Sequence, residues 1–222
     1  MPPISKKEKE QKQEQAIQKV DDSLKLQQIA LTTTVEDLLA SGALPPGVDT
    51  KEKIMTISQY GKELGMNPMT AINSISLVKG RMVIGSAMLG AMLKRNGYEY
   101  LWNKDWVIEE GADGKNRTVT EVEIFWVSKS LKRELSQKFK MTWQELELTG
   151  LTSRDTYMKY PKALLRARCM SAAVRAIAPE ILLGMYTAEE LADSDPNIKL
   201  KVDEEGNVSV NAIDTNYEEI ND

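Results

Sequence analysis

The chain has 222 residues, 41% of them hydrophobic, and a formal net charge of -4. It is long enough for one sizeable domain with appendages and apolar enough to bury a core. It contains no histidine and one cysteine, which excludes or nearly excludes zinc fingers, histidine-based metal sites, catalytic triads with a histidine base and disulfide scaffolds.

The charge is distributed unevenly along the chain. Residues 1–50 sum to -2, residues 51–185 to +7 and residues 186–222 to -9, and residues 129–175 hold the whole positive excess of the middle segment. A basic core with an acidic tail is typical of a polyanion-binding protein whose tail competes for its own groove or recruits a basic partner. The alternative is a tail that is disordered and only solubilising.

The first 28 residues are dominated by lysine, glutamate and glutamine, so the N-terminus is charged where a signal peptide is apolar. No apolar run approaches the roughly 18 residues of a transmembrane helix, and we expect a soluble, cytoplasmic protein with no membrane partner. The pattern predicts three parts: a partly disordered N-terminal helical arm over 1–48, a core over 49–193 and a flexible acidic tail over 194–222. Pro45-Pro46-Gly47 marks the end of the arm.

The first part of the core predicts alternating helices and strands. The predicted elements are a helix capped by Asp49 or Thr50 and running to about Leu64, strands Ile72 to Val78 and Met82 to Ile84, and a helix from Gly85 to Asn96. Lys79 and Arg81 flank Gly80 in the short turn between the two strands, and this turn directs two cations outward.

A section rich in β-structure follows Gly97. Strands are predicted at Tyr98 to Trp102, Trp106 to Ile108 and Thr118 to Val127. Their aromatic side chains could stack bases, but aromatic-rich strands more often pack such side chains into a core. Five cations then follow within twelve residues: Lys129, Lys132, Arg133, Lys138 and Lys140.

A basic helix from about Pro161 to Ile177 is the element around which the chain is organised. A proline suits the first helical turn, and the residues after it are rich in alanine, leucine, methionine and arginine. At 100° per residue, Lys162 and Arg166 lie on one side of this helix. Arg168 and Arg175 lie nearly opposite, so one pair can face a ligand while the other faces a second ligand or an acidic patch. The alternative is a solvated helix with ordinary surface ion pairs.

Three local patterns complete the core. Thr142 is predicted to cap a short helix that runs through Leu148. Cys169 lies inside the basic helix without any histidine to activate it, which predicts a buried packing residue rather than a nucleophile. Thr187-Ala-Glu-Glu190 has the pattern of a capping box at the start of a last helix.

The sequence carries no recognisable catalytic motif. The phosphate-binding patterns Gly-x-x-x-x-Gly-Lys-Ser/Thr and Gly-x-Gly-x-x-Gly are both missing. Carboxylates that could hold Mg²⁺ for a nuclease, such as Glu121 and Glu123, are isolated residues that nothing groups together. We therefore expect a binding protein rather than an enzyme. Its lysines and arginines can bind phosphates, and interleaved aromatic residues can stack the bases of single-stranded nucleic acid: Trp126, Phe139, Trp143, Tyr157 and Tyr160.

Four stretches together resemble the phage RecT/Red-beta family of single-strand annealing proteins. In this order and spacing they are Gly61 to Thr70, the Lys79-Gly80 turn, Tyr160 to Arg175 and Gly184 to Glu190, and the resemblance covers about Lys51 to Leu191. It implies an α+β fold with a small curved antiparallel sheet packed by helices. It also implies ATP-independent binding of single-stranded DNA and annealing of complementary strands in phage homologous recombination and DNA repair.

The resemblance further implies a homo-oligomer, as a ring or helical filament around the annealed duplex intermediate. Candidate partners are a phage exonuclease and the host single-strand-binding protein. No cofactor is expected, ATP is not needed, and Mg²⁺ enters only as a modulator of annealing. DNA contacts carried over from the family fall on Lys79, Lys129, Lys138, Lys162, Arg168 and Arg175. The candidate set is completed by nearby cations: Arg81, Lys132, Arg133 and Arg166.

These assignments lead to a mechanistic hypothesis. The basic helix, through Lys162, Arg168 and Arg175, and the segment from Lys129 to Lys140 line a groove that holds the phosphate backbone of one strand, with its bases outward for pairing. The alternative from a different class is a protein-interaction or assembly module whose basic face docks an acidic partner. A metal-dependent nuclease is the remaining alternative.

Overall fold

The computed structural model describes residues 35–128, 130–195 and 197–210. The predictions made for residues 1–34, for Lys129 and for residues 211–222 lie outside these ranges. Within them are eight α-helices: α1 (35–41), α2 (Lys51–Glu63), α3 (Pro68–Ser74), α4 (Ser86–Arg95), α5 (Trp143–Leu148), α6 (Asp155–Lys159), α7 (Pro161–Ile177) and α8 (Ala188–Ser194). Among these described helices, none is both long and apolar enough to span a bilayer.

The strands of the described ranges form three small sheets. They are β1 (Ile75–Val78), β2 (Arg81–Ile84), β3 (Tyr98–Glu110), β4 (Asn116–Ser128), β5 (Arg133–Thr142), β6 (Tyr186–Thr187), β7 (Leu200–Val202) and β8 (Val208–Val210). In the first sheet β2 pairs antiparallel with β1 and parallel with β6. The second sheet is the antiparallel meander β3-β4-β5, and the third is the β7-β8 hairpin. The predicted α+β fold with small antiparallel sheets is confirmed at this level.

Local sequence signals start several helices. The Thr50 side chain accepts a hydrogen bond from the backbone N–H three residues on, at 3.3 Å, and caps α2. Asn67 caps α3 in the same way at 2.8 Å. Thr142 and Glu145 form a reciprocal capping box at the start of α5. Of the two caps predicted for the first core helix, Asp49 and Thr50, the structure has Thr50, and the predicted cap at Thr142 is confirmed.

The core lies on both flanks of α7. One buried cluster, shared with α2, α3, α4 and the meander, includes Cys169 and Val174 of this helix. A second cluster, shared with α8 and the β7-β8 hairpin, includes Leu164 and Leu165. Fully burying an aliphatic side chain of this kind stabilises the fold by about 1.5–3 kcal/mol. The helix at the centre of the sequence pattern is therefore also the centre of the packing.

The meander has two different faces. Val122 and Phe139 are directly opposed across β4 and β5, on the face that packs against α7. Glu123 and Lys138 form the next pair, and because side chains alternate along a strand they point to the other face. The Cys169 thiol donates weakly to the Phe139 carbonyl oxygen at 3.5 Å, and apolar packing around it holds the helix on the first face.

β3 is one continuous strand where two short strands were predicted. Its pairing with β4 shifts register between Trp102 and Lys104 and again between Asp105 and Val107. Trp106, at the second shift, has a φ of 63°. Bulges of this kind break the alternation of apolar and polar residues, so the sequence pattern reads as two separate strands.

Residues 72–74 are helical, although they were predicted as the start of a strand. They complete α3, because the cap at Asn67 and the proline after it start a helix that continues to Ser74. The last three cations of the stretch after β4, for which no element was predicted, lie in β5.

The chain after residue 194 was predicted to be a flexible tail, but its described part contains a β-hairpin. The hairpin of β7 and β8 buries Val208 and Val210 in the second cluster. The Val208 N–H donates to the Ser86 hydroxyl of α4 at 2.8 Å. Apolar residues alternate in both strands, but each strand has only three residues, and acidic residues in the turn between them dominate the composition of the segment.

The described end of the predicted N-terminal arm packs on the core. Residues 35–41 are helical, and Val35 and Val48 are both buried in the first cluster. These two contacts tie residues 35–48 to the surface of α2 and its neighbours.

Candidate nucleic-acid interface

One side of α7 faces an acidic patch, which is one of the two arrangements that its charge pattern allows. The Arg168 guanidinium donates to the Asp193 carboxylate and to the Tyr157 hydroxyl. Only 14% of the Arg168 side chain is exposed. Arg175, two turns later on the same side, makes a bidentate pair with Glu190.

The turn between β1 and β2 points at the same acidic region. Lys79 pairs with Asp195. Arg81 donates to the Ser194 hydroxyl at 3.3 Å, and its guanidinium carbon lies 5.0 Å from the centroid of the Tyr186 ring. Groups of α8 and the residue after it therefore bind four of the cations predicted to contact DNA: Lys79, Arg81, Arg168 and Arg175.

We call this acidic region the α8 cap, and its carboxylates are Glu190, Asp193 and Asp195. Asp193 and Asp195 lie at the C-terminal end of α8, where backbone carbonyl groups lack intrahelical partners and cations are favoured, whereas Glu190 lies in its first turn. Arg168 donates to the Glu189 carbonyl at 3.3 Å, and Arg154 donates to the Ala192 carbonyl at 2.7 Å. The cations therefore satisfy both the carboxylates and the end of the helix.

The pKa of Glu190 reflects this pairing. Burial alone would raise the pKa, but hydrogen bonds from Arg175 and from the Thr187 backbone N–H hold it below its ordinary value. The bond from Thr187 is also the start signal that the sequence predicted for α8. The pair of Arg175 and Glu190 is therefore part of the folded structure.

The opposite side of α7 carries cations that reach solvent. The Lys162 ammonium lies 3.1 Å from the Asp105 carboxylate, and 56% of its side chain is exposed. Arg166 lies 3.9 Å from the same carboxylate, and its guanidinium carbon is 4.8 Å from the centroid of the Trp102 ring. The Lys159 side chain, just before α7, is 63% exposed. We call Lys159, Lys162 and Arg166 the basic face.

Two depressions adjoin the basic face. The larger, of about 480 Å³, lies between residues 159–166 and the turn of the β7-β8 hairpin. The smaller, of about 190 Å³, has Tyr100 and Trp102 in its lining. Both are lined by Arg166 and by the turn residues Glu205 and Gly206, so they meet there.

Lys138 and Lys140 of β5 lie on the far face of the meander. The Lys138 side chain is 61% exposed, and its ammonium lies 3.9 Å from the Glu123 carboxylate. Lys140 pairs with Glu109 at 2.8 Å. Because α7 packs on the other face, the sheet separates these lysines from the basic helix. This arrangement differs from the predicted groove, in which the two basic segments face each other.

Two of the predicted cations lie where β4 connects to β5. Lys132 in the turn and Arg133, the first residue of β5, are both exposed, while Lys129 lies outside the described residues. Leu131 beside them is also exposed, at 57%. The two described cations are thus accessible to a ligand.

The five aromatic residues predicted as platforms for bases fall into two groups. Trp126 and Phe139 are half-buried against the first core cluster. Trp143 packs on the buried Tyr157, with 6.5 Å between their ring centroids. Tyr160, beside the basic face, is the exposed member, at 44%. Four of the five therefore contribute to packing.

Cys169 is completely buried, and burial raises the pKa of its thiol to about 12. Because a thiolate is the reactive form, this thiol is unreactive near neutral pH. The prediction of a buried packing residue is confirmed.

Sequence reasoning missed Trp102, Asp105 and the hairpin turn as neighbours of the basic face. Tyr100 and Trp102 are two residues apart on one strand and so share a face, a signal that could have placed them together. The turn has no such signal, because its approach to α7 depends on packing between distant segments. It comes close at Gly206, where a Cβ would lie 3.7 Å from the Cβ of Ala163.

Comparisons of this chain with known protein families, curated proteins and solved structures find no match.

Proposed function

We propose that this protein binds single-stranded DNA and anneals complementary strands without ATP, as a member of the RecT/Red-beta family of single-strand annealing proteins. It acts as a homo-oligomer on the annealed duplex intermediate during phage recombination in the bacterial cytoplasm. A phage exonuclease and the host single-strand-binding protein are its proposed partners.

The observation that supports this proposal most is the exposed basic face. Lys162 and Arg166 share one nearby carboxylate, that of Asp105, at 3.1 and 3.9 Å. Two cations beside one anion retain positive charge with which to bind a phosphate. α7 holds both on a rigid, buried scaffold, and Tyr160 and Trp102 add aromatic surface beside them.

Contacts of this kind give binding without sequence preference. Lysine and arginine neutralise phosphates whatever the base sequence. If the protein fixes the backbone and leaves most bases free, pairing with a second strand supplies the specificity. No nucleotide hydrolysis is then required, because annealing is itself favourable.

The cations bound to the α8 cap have a different role in this proposal. Arg168 and Arg175 are engaged with Asp193 and Glu190 in the free protein. Removing the partner of a largely buried ion pair is strongly destabilising. We therefore assign phosphate binding to the basic face and stability to Arg168 and Arg175.

The test is annealing of two complementary oligonucleotides that carry a fluorescence donor and acceptor, without ATP and at moderate salt. We expect the wild-type protein to accelerate annealing and the variant Lys162→Ala/Arg166→Ala to lose most of the acceleration. Lys115→Ala, in the turn between β3 and β4, is the matched control and retains it. No acceleration by the wild-type protein would refute the proposal, and a gel of the same strands with Mg²⁺ would reveal any cleavage.

One observation favours the second candidate, an assembly module that docks an acidic protein. Four cations of this chain already bind carboxylate or hydroxyl groups of α8 and Asp195. Quenching of tryptophan fluorescence separates the two functions, because an oligonucleotide stacks on aromatic rings whereas heparin offers only charge. Equal responses to both polyanions would favour the assembly module.

A further inference from the structure

We infer that the smaller depression beside Arg166 binds one nucleobase of the bound single strand. The inference rests on the proposed function and adds a base-binding pocket to the phosphate-binding cations. It implies that one base in each bound stretch is turned toward the protein and is withheld from pairing.

The size of the depression fits a single ring system. Its volume of about 190 Å³ is below the roughly 300–1,000 Å³ of pockets that hold drug-sized ligands. A base can enter it, while the sugar and phosphate remain outside. Its depth comes partly from Gly90, because a Cβ there would lie 2.5 Å from the Tyr100 hydroxyl oxygen.

The walls have the chemistry that a base requires. Tyr100 and Trp102 contribute aromatic surface, with their rings edge to face and 6.5 Å between centroids. Arg166 covers part of Trp102 and presents its planar guanidinium to the depression. Bases stack on both aromatic rings and guanidinium planes. Met170 and Ala167 add apolar surface from α7.

Polar groups at the rim can contact the edge of a base. The Ser86 hydroxyl accepts from the Val208 N–H at 2.8 Å, so its own proton is available to donate. Glu205 is exposed in the lining, and a carboxylate accepts from amino groups of bases. One donor and one acceptor thus flank an aromatic surface.

The adjoining depression orients the nucleotide. Lys159 and Lys162 line it on one side, and the acidic turn residues Asp203, Glu204 and Glu205 line it on the other. A phosphate is attracted to the lysines and repelled by the turn, so the backbone follows α7. The base attached to it then reaches past Arg166, which both depressions share.

The experiment compares two labelled 30-nucleotide probes of equal charge, one of mixed sequence and one in which every base is replaced by an abasic tetrahydrofuran unit. Stacking contributes about 1–3 kcal/mol per base, so the wild-type protein should bind the abasic probe about 5- to 140-fold more weakly. The measurement is fluorescence anisotropy with the full-length protein at one fixed salt concentration.

Two alanines on α4 provide a matched pair of variants. Ala87 is exposed and lines the depression, so Ala87→Leu fills it without removing a buried group. Ala91, one turn later, is also exposed but is outside the lining. We expect Ala87→Leu to bind both probes with nearly equal affinity and Ala91→Leu to discriminate as the wild type does. Trp102→Leu should reproduce the effect of filling the pocket.

The possible failures are distinguishable. If the wild-type protein anneals DNA but binds both probes equally, the base pocket is refuted and the proposed function stands. If Ala87→Leu still discriminates, bases are bound elsewhere and the assignment to this depression is overturned. If the wild-type protein binds neither probe, the proposed function and the pocket fail together.

Discussion

Arg168 of α7 and Asp193 of α8 form an ion pair in which 14% of the arginine side chain and 28% of the aspartate side chain are exposed. The pair joins the central helix to the helix that covers its second cluster. Arg168 also bonds the Tyr157 hydroxyl, so one guanidinium ties together three helices. Arg168 is therefore positioned to stabilise the fold.

The first prediction concerns the stability that this ion pair provides. Arg168→Met should lower the free energy of unfolding by about 3 kcal/mol, because it leaves the buried Tyr157 hydroxyl without its partner and Asp193 with only the more distant Arg154, at 3.7 Å. Urea unfolding measures this change. Lys159→Met removes an exposed pair with Asp155, and solvent screening should leave its unfolding curve close to that of the wild type. Equal effects of the two substitutions would contradict a structural role for Arg168.

The second prediction concerns the salt dependence of DNA binding. Each phosphate contact to a single strand contributes about 0.7 to the slope of log K against log salt concentration. Lys162→Ala should therefore reduce the slope by about 0.7, and the double variant with Arg166→Ala by about 1.4. The control Lys115→Ala should leave it unchanged. A slope that stays the same in the double variant would place the phosphates elsewhere on the protein.

The third prediction follows from the lowered pKa of Glu190. Its ordinary value is 4.5; because the folded-state pKa lies below this, the stabilisation is present above pH 4.5 and is lost as pH falls through the folded value. Arg175→Met should lower stability at pH 7 by about 1 kcal/mol, since solvent screens a side chain that is 39% exposed. The difference in free energy of unfolding between the wild type and Arg175→Met should be smaller at pH 3 than at pH 7, and unfolding curves at both pH values measure it. If the stability difference between the two proteins does not change with pH, the ion pair of Arg175 and Glu190 is not its cause.

The fourth prediction concerns Glu189, whose side chain is completely buried. Among the described residues, the hydroxyls of Ser171 and Thr187 lie near enough to favour the charged form of its carboxyl group, but neither makes a hydrogen bond of good geometry to it. Burial raises its pKa, so the folded state binds the proton more tightly and stability falls as pH rises above the ordinary value of 4.5.

Glu189→Gln should therefore stabilise the protein at pH 7, because the glutamate must either bury its charge or take up a proton on folding, whereas glutamine does neither. The gain should shrink toward pH 4, where the unfolded glutamate also takes up its proton. Thermal unfolding at the two pH values measures both effects. A loss of stability at pH 7 would instead mean that the charge of Glu189 is needed beside Arg168.

The fifth prediction concerns the contact between α2 and α3 at Gly61. A Cβ at this position would lie 2.1 Å from the Cβ of Ala71. Replacing an internal helix glycine by alanine normally gains about 1 kcal/mol, but overpacking costs about 1–3 kcal/mol. Gly61→Ala should therefore destabilise the protein by up to about 2 kcal/mol. Adding Ala71→Gly should restore part of the loss, and no restoration would locate the strain elsewhere.

Local sequence signals predicted the elements whose formation depends on adjacent residues. The proline and the run of helix-forming residues after it predicted α7, and the caps at Thr50 and Thr142 predicted two further helices. The division of the α7 cations into two sides followed from helical geometry. The groups that each side contacts could not be predicted in this way, because packing between distant segments brings the partners Asp193 and Glu190 there.

The remaining differences have the same physical origin. The bulges of β3 disrupt an alternating pattern that a regular strand would show. The hairpin after residue 194 is stabilised by burial of Val208 against other elements, and its own strands are too short to carry a signal. The predicted groove also required that two basic segments share a face, whereas strand pairing directs Lys138 away from α7.

The position of α8 affects how deletion variants should be interpreted. A fragment that ends before this helix would uncover Leu164 and Leu165 and leave Lys79, Arg168 and Arg175 without their counter-charges. We expect such a fragment to bind polyanions nonspecifically. Nucleic acid would copurify with it after cell lysis, and the fragment would adsorb to anionic chromatography media. If a C-terminally truncated variant binds DNA more strongly, the cause would then be the newly exposed interior of the protein. That result would not show that the C-terminal tail inhibits DNA binding.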